Sequence, residues 1–359
     1  MAVSRPLPVL RGDQHQFDRL RGAVLVHLGD NAQAPTFASH ADGVVLHGNA
    51  GSRVAGTLGP ESMVVLDAER YTSDRGSTAT AQLFPESVQE SVQTQAALGV
   101  ACYLAPSRFP IDRTPRTLRS LLATGREFVD AVHEHDPGMP AFVPIVVRFD
   151  ELADRRWIEP VVESGVPIAT VFAGHGDPLA TADQLQGAIE LVRCARSAMV
   201  LRCDMAAAGF MSIGAVTAAI GASSAVRHLW LPSRSRNQKS PSRSVFVPSA
   251  NSWMKTRFVE QAAADPELDA VFGCSCDVCG LRGDVRNLVL PGVSAEIQDR
   301  HSVAASVAAA RSVLAAASPL AEWRSVCEAA SETYSTIERF GISGPTRPAA
   351  IQAWLSVLP

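Results

Sequence analysis

Lysine is nearly missing from this chain: of 32 cationic side chains in 359 residues, only Lys239 and Lys255 are lysines. Acids are missing locally. From Met205 to Val259 there is no Asp or Glu, while Arg227, Arg234, Arg236, Lys239, Arg243, Lys255 and Arg257 all fall in that window. A coding bias explains an arginine excess but not absent acids. The net charge of −4 excludes a general polycation, so any nucleic-acid contact has to come from a local patch, and the window 205–259 reads as one that faces phosphates. No run of about 18 apolar residues is present, which argues against a membrane span. Met1 to Gln16 lack the apolar core of a secretion signal. Cysteine is thin outside one cluster, with Cys102, Cys194, Cys203 and Cys327 scattered singly. An odd total of seven fits a reducing cytoplasm, not a disulfide framework.

The remaining cysteines stand together. Cys274-Ser275-Cys276-Asp277-Val278-Cys279 is followed, after a gap, by His301. Three thiolates and an imidazole complete a tetrahedral zinc site and leave no position open to water. The expectation is a structural Zn2+ held by Cys274, Cys276, Cys279 and His301.

Hydropathy supplies the frame. Apolar runs at 23–28 and 43–47, each closed by turn-formers, make residues 1–60 a β-rich prelude. From residue 61 strand and helix alternate. Runs at 63–67, 101–104, 142–147, 167–172, 199–201, 226–231, 245–247 and 268–272 predict eight strands. Between them lie helical stripes such as Leu118, Leu121, Leu122, Phe128, Val129 and Val132. Thr181-Ala182-Asp183-Gln184 reads as the capped start of another helix. Near-continuous apolar strands alternating with helices imply parallel strands covered on both faces. The expected fold is an α/β (β/α)8 TIM barrel over 61–315, with the zinc site (274–301) as an insertion near the last strand and a helical tail over 316–359. An open doubly wound sheet usually shows a Gly-rich turn after its first strand; Asp67-Ala68-Glu69-Arg70 has no glycine.

Barrel chemistry sits at the C-terminal ends of strands. By position the candidates are Asp67, Glu69 and Arg70, then Ser107 and Arg108, then Arg148 and Asp150. His175 and Asp177, Arg202 and Asp204, and Arg227, His228 and Arg234 follow. Asp67 comes directly after four apolar residues, where an ionised carboxylate needs a partner; the competing reading is a turn cap. Arg202 and Asp204 are two apart, which puts them on one strand face and makes an ion pair the competing reading. A lone histidine such as His175 or His228 is more often a satisfied structural residue than a catalyst.

A barrel with Cys-x-Cys-x-x-Cys late in the chain and a histidine on the next helix resembles the tRNA-guanine transglycosylase family, including its DNA-acting relatives. Leu66-Asp67-Ala68-Glu69-Arg70-Tyr71 resembles that family's Leu-Asp-Ser-Gly-Gly-Phe turn. Phe172-Ala173-Gly174-His175-Gly176 resembles its Gly-rich turn around the base, and Leu231-Pro232-Ser233-Arg234 its Leu-Pro-Thr-Arg segment. The resemblance covers about residues 60 to 315. It implies exchange of a guanine-type base, a purine or 7-deazapurine, in tRNA or DNA. Asp67, Asp204 and His228 would be catalytic. Arg70, Ser107, Arg108, His175, Gly176, Arg202, Arg234 and Arg236 would bind substrate. Pairing of two chains through the tail is a further implication. The chain departs from the family at His228, where a nucleophilic Asp is expected, and at Leu104-Ala105-Pro106-Ser107-Arg108, where a base-reading acid is expected.

Base exchange needs a carboxylate that attacks the anomeric carbon and a second group that moves protons at the base. The alternative is a zinc-stapled barrel without chemistry that binds nucleic acid or a protein partner, a reading prompted by His228.

Overall fold

The apolar runs form short parallel strands: β1 (Val24–His27), β2 (Gly43–His47), β3 (Met63–Asp67), β4 (Tyr103–Leu104), β5 (Ala141–Arg148), β6 (Ile168–Gly174), β7 (Ala198–Cys203) and β8 (Thr217–Gly221). In this computed structural model they pair in the order β3-β2-β1-β8-β7-β6-β5-β4, and a parallel bridge from Val65 to Cys102 joins the two ends. The result is a closed (β/α)8 barrel. The residues described are 15–59, 61–69, 71, 87–108, 114–174, 176–177, 179–230, 243–262, 265–279, 283–342 and 345–358.

Each strand is followed by a helix: α1 (Ala34–Ala38), α2 (Gly48–Ala55), α3 (Val88–Ala97), α4 (Pro115–His135), α5 (Arg155–Ser164), α6 (Ala182–Cys194), α7 (Ala206–Ser212) and α8 (Ala295–Ala315). Five of them start on a side chain that accepts from a free backbone N–H: Ser87, Thr114, Asp154, Thr181 and Ser294. Strand alternation divides the core in two. Leu25, Val45, Val65, Cys102, Phe142, Val171, Leu201 and Ala219 point inward and fill the barrel, while Val26, Val44, Ile145, Phe172 and Val200 point outward under the helices. Phe17 and Leu20 plug the N-terminal end, where Phe17 meets Phe142 at 5.3 Å between ring centroids. Tyr71 and Leu229 belong to the same interior cluster at the C-terminal end.

The barrel starts earlier than the hydropathy rhythm suggests. The runs assigned to a prelude are its first two strands, and the runs at 63–67, 101–104, 142–147, 167–172 and 199–201 are strands three to seven. The last three expected strands are something else. Leu229–Trp230 is β9, a two-residue strand laid on the end of β6; 245–247 lies in an antiparallel hairpin of β10 (Ser244–Val247) and β11 (Ser252–Lys255); and Asp269–Phe272 is a helical turn. The true eighth strand, Thr217-Ala218-Ala219-Ile220-Gly221, is built from small residues with weak strand preference. Gly221 ends it because a Cβ there would sit 2.5 Å from the Val226 carbonyl carbon, where the chain folds back.

The described residues between β8 and α8 form an excursion, and the tail helices α9 (Pro319–Arg339) and α10 (Ala349–Val357) pack back on α6, α7 and α8. Their contact is aromatic: Trp354 lies edge-on to both Phe210 and Trp323, at 5.5 Å in each case. Gly209 on α7 permits it, since a Cβ there would stand 2.5 Å from Trp323 Nε1. Among the described residues no helix is long and apolar enough to cross a membrane.

Candidate active site and metal centre

The cysteine cluster is assembled by the excursion. Gly273 bridges Asp284, the Cys274 N–H donates to the Gly283 carbonyl (3.0 Å) and the Gly283 N–H to the Cys279 carbonyl (2.8 Å). This closed turn presents the thiols. The N–H groups of Cys276 and Cys279 face the sulfurs of Cys274 and Cys276 at 3.5 and 3.4 Å. His301 comes from α8 and is fully buried. Its Nε2 lies 2.8 Å from the Phe246 carbonyl on β10. A carbonyl only accepts, so the proton is on Nε2 and the Nδ1 lone pair is free. Nδ1 stands 3.0, 3.3 and 3.9 Å from the sulfurs of Cys279, Cys276 and Cys274, and all four donor atoms lie within 4.8 Å of one another. Metal–sulfur bonds of about 2.3 Å and metal–nitrogen bonds of about 2.0–2.1 Å around a tetrahedral ion require spacings of this order. The group can hold a metal ion, and an ion there would tie α8 to the Cys-rich turn, with β10 joined through the His301–Phe246 bond.

A second cluster closes the C-terminal mouth of the barrel. His27, His47 and Asp67 are the last residues of the neighbouring strands β1, β2 and β3, each at an inward position. His47 and Asp67 are paired in register. Asp67 is 1% exposed; it accepts from the Tyr71 hydroxyl and, at 2.8 Å, from the Glu69 N–H. His27 Nε2 faces Asp67 Oδ2 at 3.5 Å and Glu69 Oε1 at 3.9 Å. Glu69 also meets His47 Nδ1 at 3.2 Å and the guanidinium of Arg202 from β7, across the mouth. Arg202 in turn lies 5.5 Å above the Tyr71 ring. Glu69 and Arg202 both have φ of 50°, a left-handed conformation that non-glycine residues avoid, so the backbone is strained at both ends of this ion pair.

Charge states follow from these contacts. Burial lowers the His27 imidazole, and Asp67 only partly offsets it, so the ring is neutral. Burial alone would raise Glu69, but the His47 hydrogen bond and the Arg202 charge bring it down to about 2. The same bond to Glu69 raises His47. Burial and the Asp67 charge push Tyr71 well up, keeping its hydroxyl a donor. The mouth therefore holds a neutral imidazole, an ionised glutamate and a fixed guanidinium within one connected network.

The remaining expected site residues scatter. Arg202 joins the mouth with Asp67, but Asp204 does not. The left-handed Arg202 and a register shift between Val200 and Cys203 break strand alternation, and Asp204 swings outward. It lines a cleft of about 160 Å³ with Arg227, Asn251, Trp253, Trp323 and Trp354. Burial and the nearby Asp177 raise Asp204 to about 6. The Arg227 guanidinium stacks on Trp253 at 3.8 Å, and burial lowers it to about 9. His228 is not at a barrel strand end. It sits on the segment leading into β9, buried 4.1 Å from the Trp230 ring, and burial with the charges of Arg227 and Arg202 lowers it to about 4. Ser107 is buried, its hydroxyl donating to the Pro144 carbonyl at 2.6 Å, which is a structural bond. Arg108 is half-buried and Gly176 exposed. Arg70, His175, Arg234 and Arg236 lie outside the described residues. His27, His47 and Tyr71 were missed as site residues. Each histidine closes an apolar run just as Asp67 does, but both runs lie in the stretch that hydropathy separates from the barrel.

No family model matches the chain, and no curated protein matches it. Among solved structures, triosephosphate isomerase from Bartonella henselae is similar at 13% identity over 56% of this chain and 92% of that one, with a TM-score of 0.34. A likeness of that size carries no argument; the fold rests on the strand pairing above.

Proposed function

We propose that the chain is an enzyme of the tRNA-guanine transglycosylase type, exchanging a guanine-type base in tRNA or DNA. The observation that carries the reading is Asp67, buried at the end of a strand beside a neutral His27, in a barrel whose last crossover is closed by a three-thiol, one-imidazole cluster. We assign the ion of that cluster as zinc, from its soft sulfur donors and tetrahedral spacing, and its role as structural, because four protein ligands leave no open position.

In this reading the carboxylate pair is Asp67 and Glu69, not Asp67 and Asp204. A carboxylate oxygen attacks the sugar's anomeric carbon, the bond to the base nitrogen breaks, and its electron pair leaves with the base. The incoming base then displaces the carboxylate. In this reading His27 exchanges a proton with Asp67 once their 3.5 Å gap closes to hydrogen-bond length, and Arg202 holds Glu69 ionised. Arg243, Lys255 and Arg257 are exposed on and beside the β10–β11 hairpin and would meet phosphates. The target base has to leave its stack to reach such a mouth. The test is exchange of labelled guanine into tRNA and into DNA. Wild type is expected to incorporate label, and Asp67→Asn to lose roughly 10²-fold or more; an unchanged rate removes Asp67 from the chemistry.

A second reading, a silent barrel that binds nucleic acid or a protein partner, is favoured by three observations. A glycine ends β8, Arg202 already neutralises Glu69, and Leu229 packs over the interior. It predicts binding to nucleic acid that weakens steeply with salt and exchanges no base.

A further inference from the structure

His27 is fully buried, yet neither ring nitrogen has a hydrogen-bond partner. An unsatisfied buried polar group is costly and calls for an occupant or a function. Its Nε2 points between two carboxylates, 3.5 Å from Asp67 Oδ2 and 3.9 Å from Glu69 Oε1. These are longer than normal hydrogen bonds. The three donor atoms nevertheless lie within 4.8 Å of one another. Metal–nitrogen and metal–oxygen bonds of about 2.0–2.2 Å put ligand atoms around one ion at roughly this separation.

We infer that the barrel mouth binds one divalent transition-metal cation through His27, Asp67 and Glu69, at a site separate from the thiolate centre. Three protein ligands leave positions open to water or substrate, unlike the four-ligand cluster of Cys274, Cys276, Cys279 and His301. The supporting shell is in place. The Tyr71 hydroxyl and the Glu69 N–H donate to Asp67, and His47 Nδ1 meets the other Glu69 oxygen at 3.2 Å. Such outer bonds fix the orientation of ligating carboxylates. One imidazole with two carboxylates suits Mn2+, Fe2+, Co2+ or Zn2+, and not a thiolate-seeking Cu+. Arg202 is the competitor, since its guanidinium contacts the same Glu69 oxygen that faces His27. A dication and the guanidinium compete for the same Glu69 oxygen, so removing the guanidinium should tighten metal binding.

This inference goes beyond base exchange and does not rest on it. An ion ligated by Asp67 withdraws that carboxylate from attack, so loading the mouth is expected to slow exchange and stripping it to restore exchange.

The test uses the full chain with its thiolate centre loaded with zinc, titrated with Mn2+ and followed by electron paramagnetic resonance. The titration is repeated with Co2+, followed by visible absorption. The expected result is one Mn2+ per chain, and a Co2+ spectrum without sulfur charge-transfer bands. His27→Ala and Glu69→Gln should each weaken binding by roughly tenfold or more, while Arg202→Met should strengthen it. His27→Gln, which keeps most of the volume and adds no charge, keeps the test decisive if His27→Ala does not fold. Absence of Mn2+ and Co2+ binding by wild type overturns the inference, as does binding that His27→Ala and Glu69→Gln leave unchanged. A chain that binds Mn2+ but exchanges no base in either metal state keeps this site and loses the base-exchange reading; exchange without metal binding does the reverse.

Discussion

Replacing Arg202 with methionine should be among the most damaging single changes at the mouth. Arg202 is 5% exposed and the Glu69 side chain 15%. Removing one partner of a buried pair strands the other charge, at a cost of about 3–5 kcal/mol. Losing the cation–π contact with Tyr71 adds about 0.5–1 kcal/mol. Methionine is long and adaptable, so the loss reports charge more than volume. Against a total stability of about 5–15 kcal/mol, that is a large fraction. The double variant Arg202→Met with Glu69→Gln strands no charge, so it should cost about 2–3 kcal/mol less than the sum of the singles. The assay is urea unfolding at pH 7 followed by circular dichroism. Acid sharpens it. Glu69 is lowered from 4.5 to about 2 in the fold. The stability it contributes is therefore fully present above about pH 4.5 and is lost as pH falls toward 2. In Arg202→Met the folded-state value moves back toward 4.5, so that loss should be smaller and should end at higher pH. A cost of Arg202→Met below about 1 kcal/mol, or singles that add to the double within about 0.5 kcal/mol, would refute the pairing.

Three further outcomes are expected. Gly209→Ala should cost about 1–3 kcal/mol by overpacking, because its methyl would stand 2.5 Å from Trp323 Nε1 and 2.7 Å from Trp354 Cζ2; thermal unfolding checks it, and a neutral change would mean that the tail helices shift freely. Asp204 is raised from 3.8 to about 6, so the stability it contributes is lost as pH rises from about 4 through 6; Asp204→Asn should gain on wild type across that window, by about 3 kcal/mol at most, and run parallel above it in urea unfolding at stepped pH. Chelating the metal, or Cys276→Ser, should release one ion per chain and raise hydrogen exchange in β10 and β11 while leaving β5 and β6 protected; equal exchange in all four strands would contradict a local staple.

The parts of this fold that were legible are those with strong local signals. β3 and β5 to β7 are long enough and apolar enough to stand out, and the Cys-x-Cys-x-x-Cys run needs no tertiary information. The barrel's start was hidden because α1 and α2 have only five and eight residues, too short for a helical stripe to mark β1 and β2 as βα units. That same misplacement hid His27 and His47. β8 was hidden by its alanines. Asp204 is a candidate by its place after a strand, and alternation puts it on the face of Arg202; the left-handed Arg202 interrupts that alternation, and strain of that kind has no sequence signature outside glycine.

The central claim is that a carboxylate at the ends of β3 reacts with a nucleic-acid sugar. Its most direct measurement is a denaturing trap of the chain incubated with tRNA or DNA, followed by mass mapping of the adduct. The account predicts a nucleic-acid adduct on Asp67 or Glu69 that Asp67→Asn or Glu69→Gln diminishes. An adduct mapped to Asp204, or none with either nucleic acid, would contradict it.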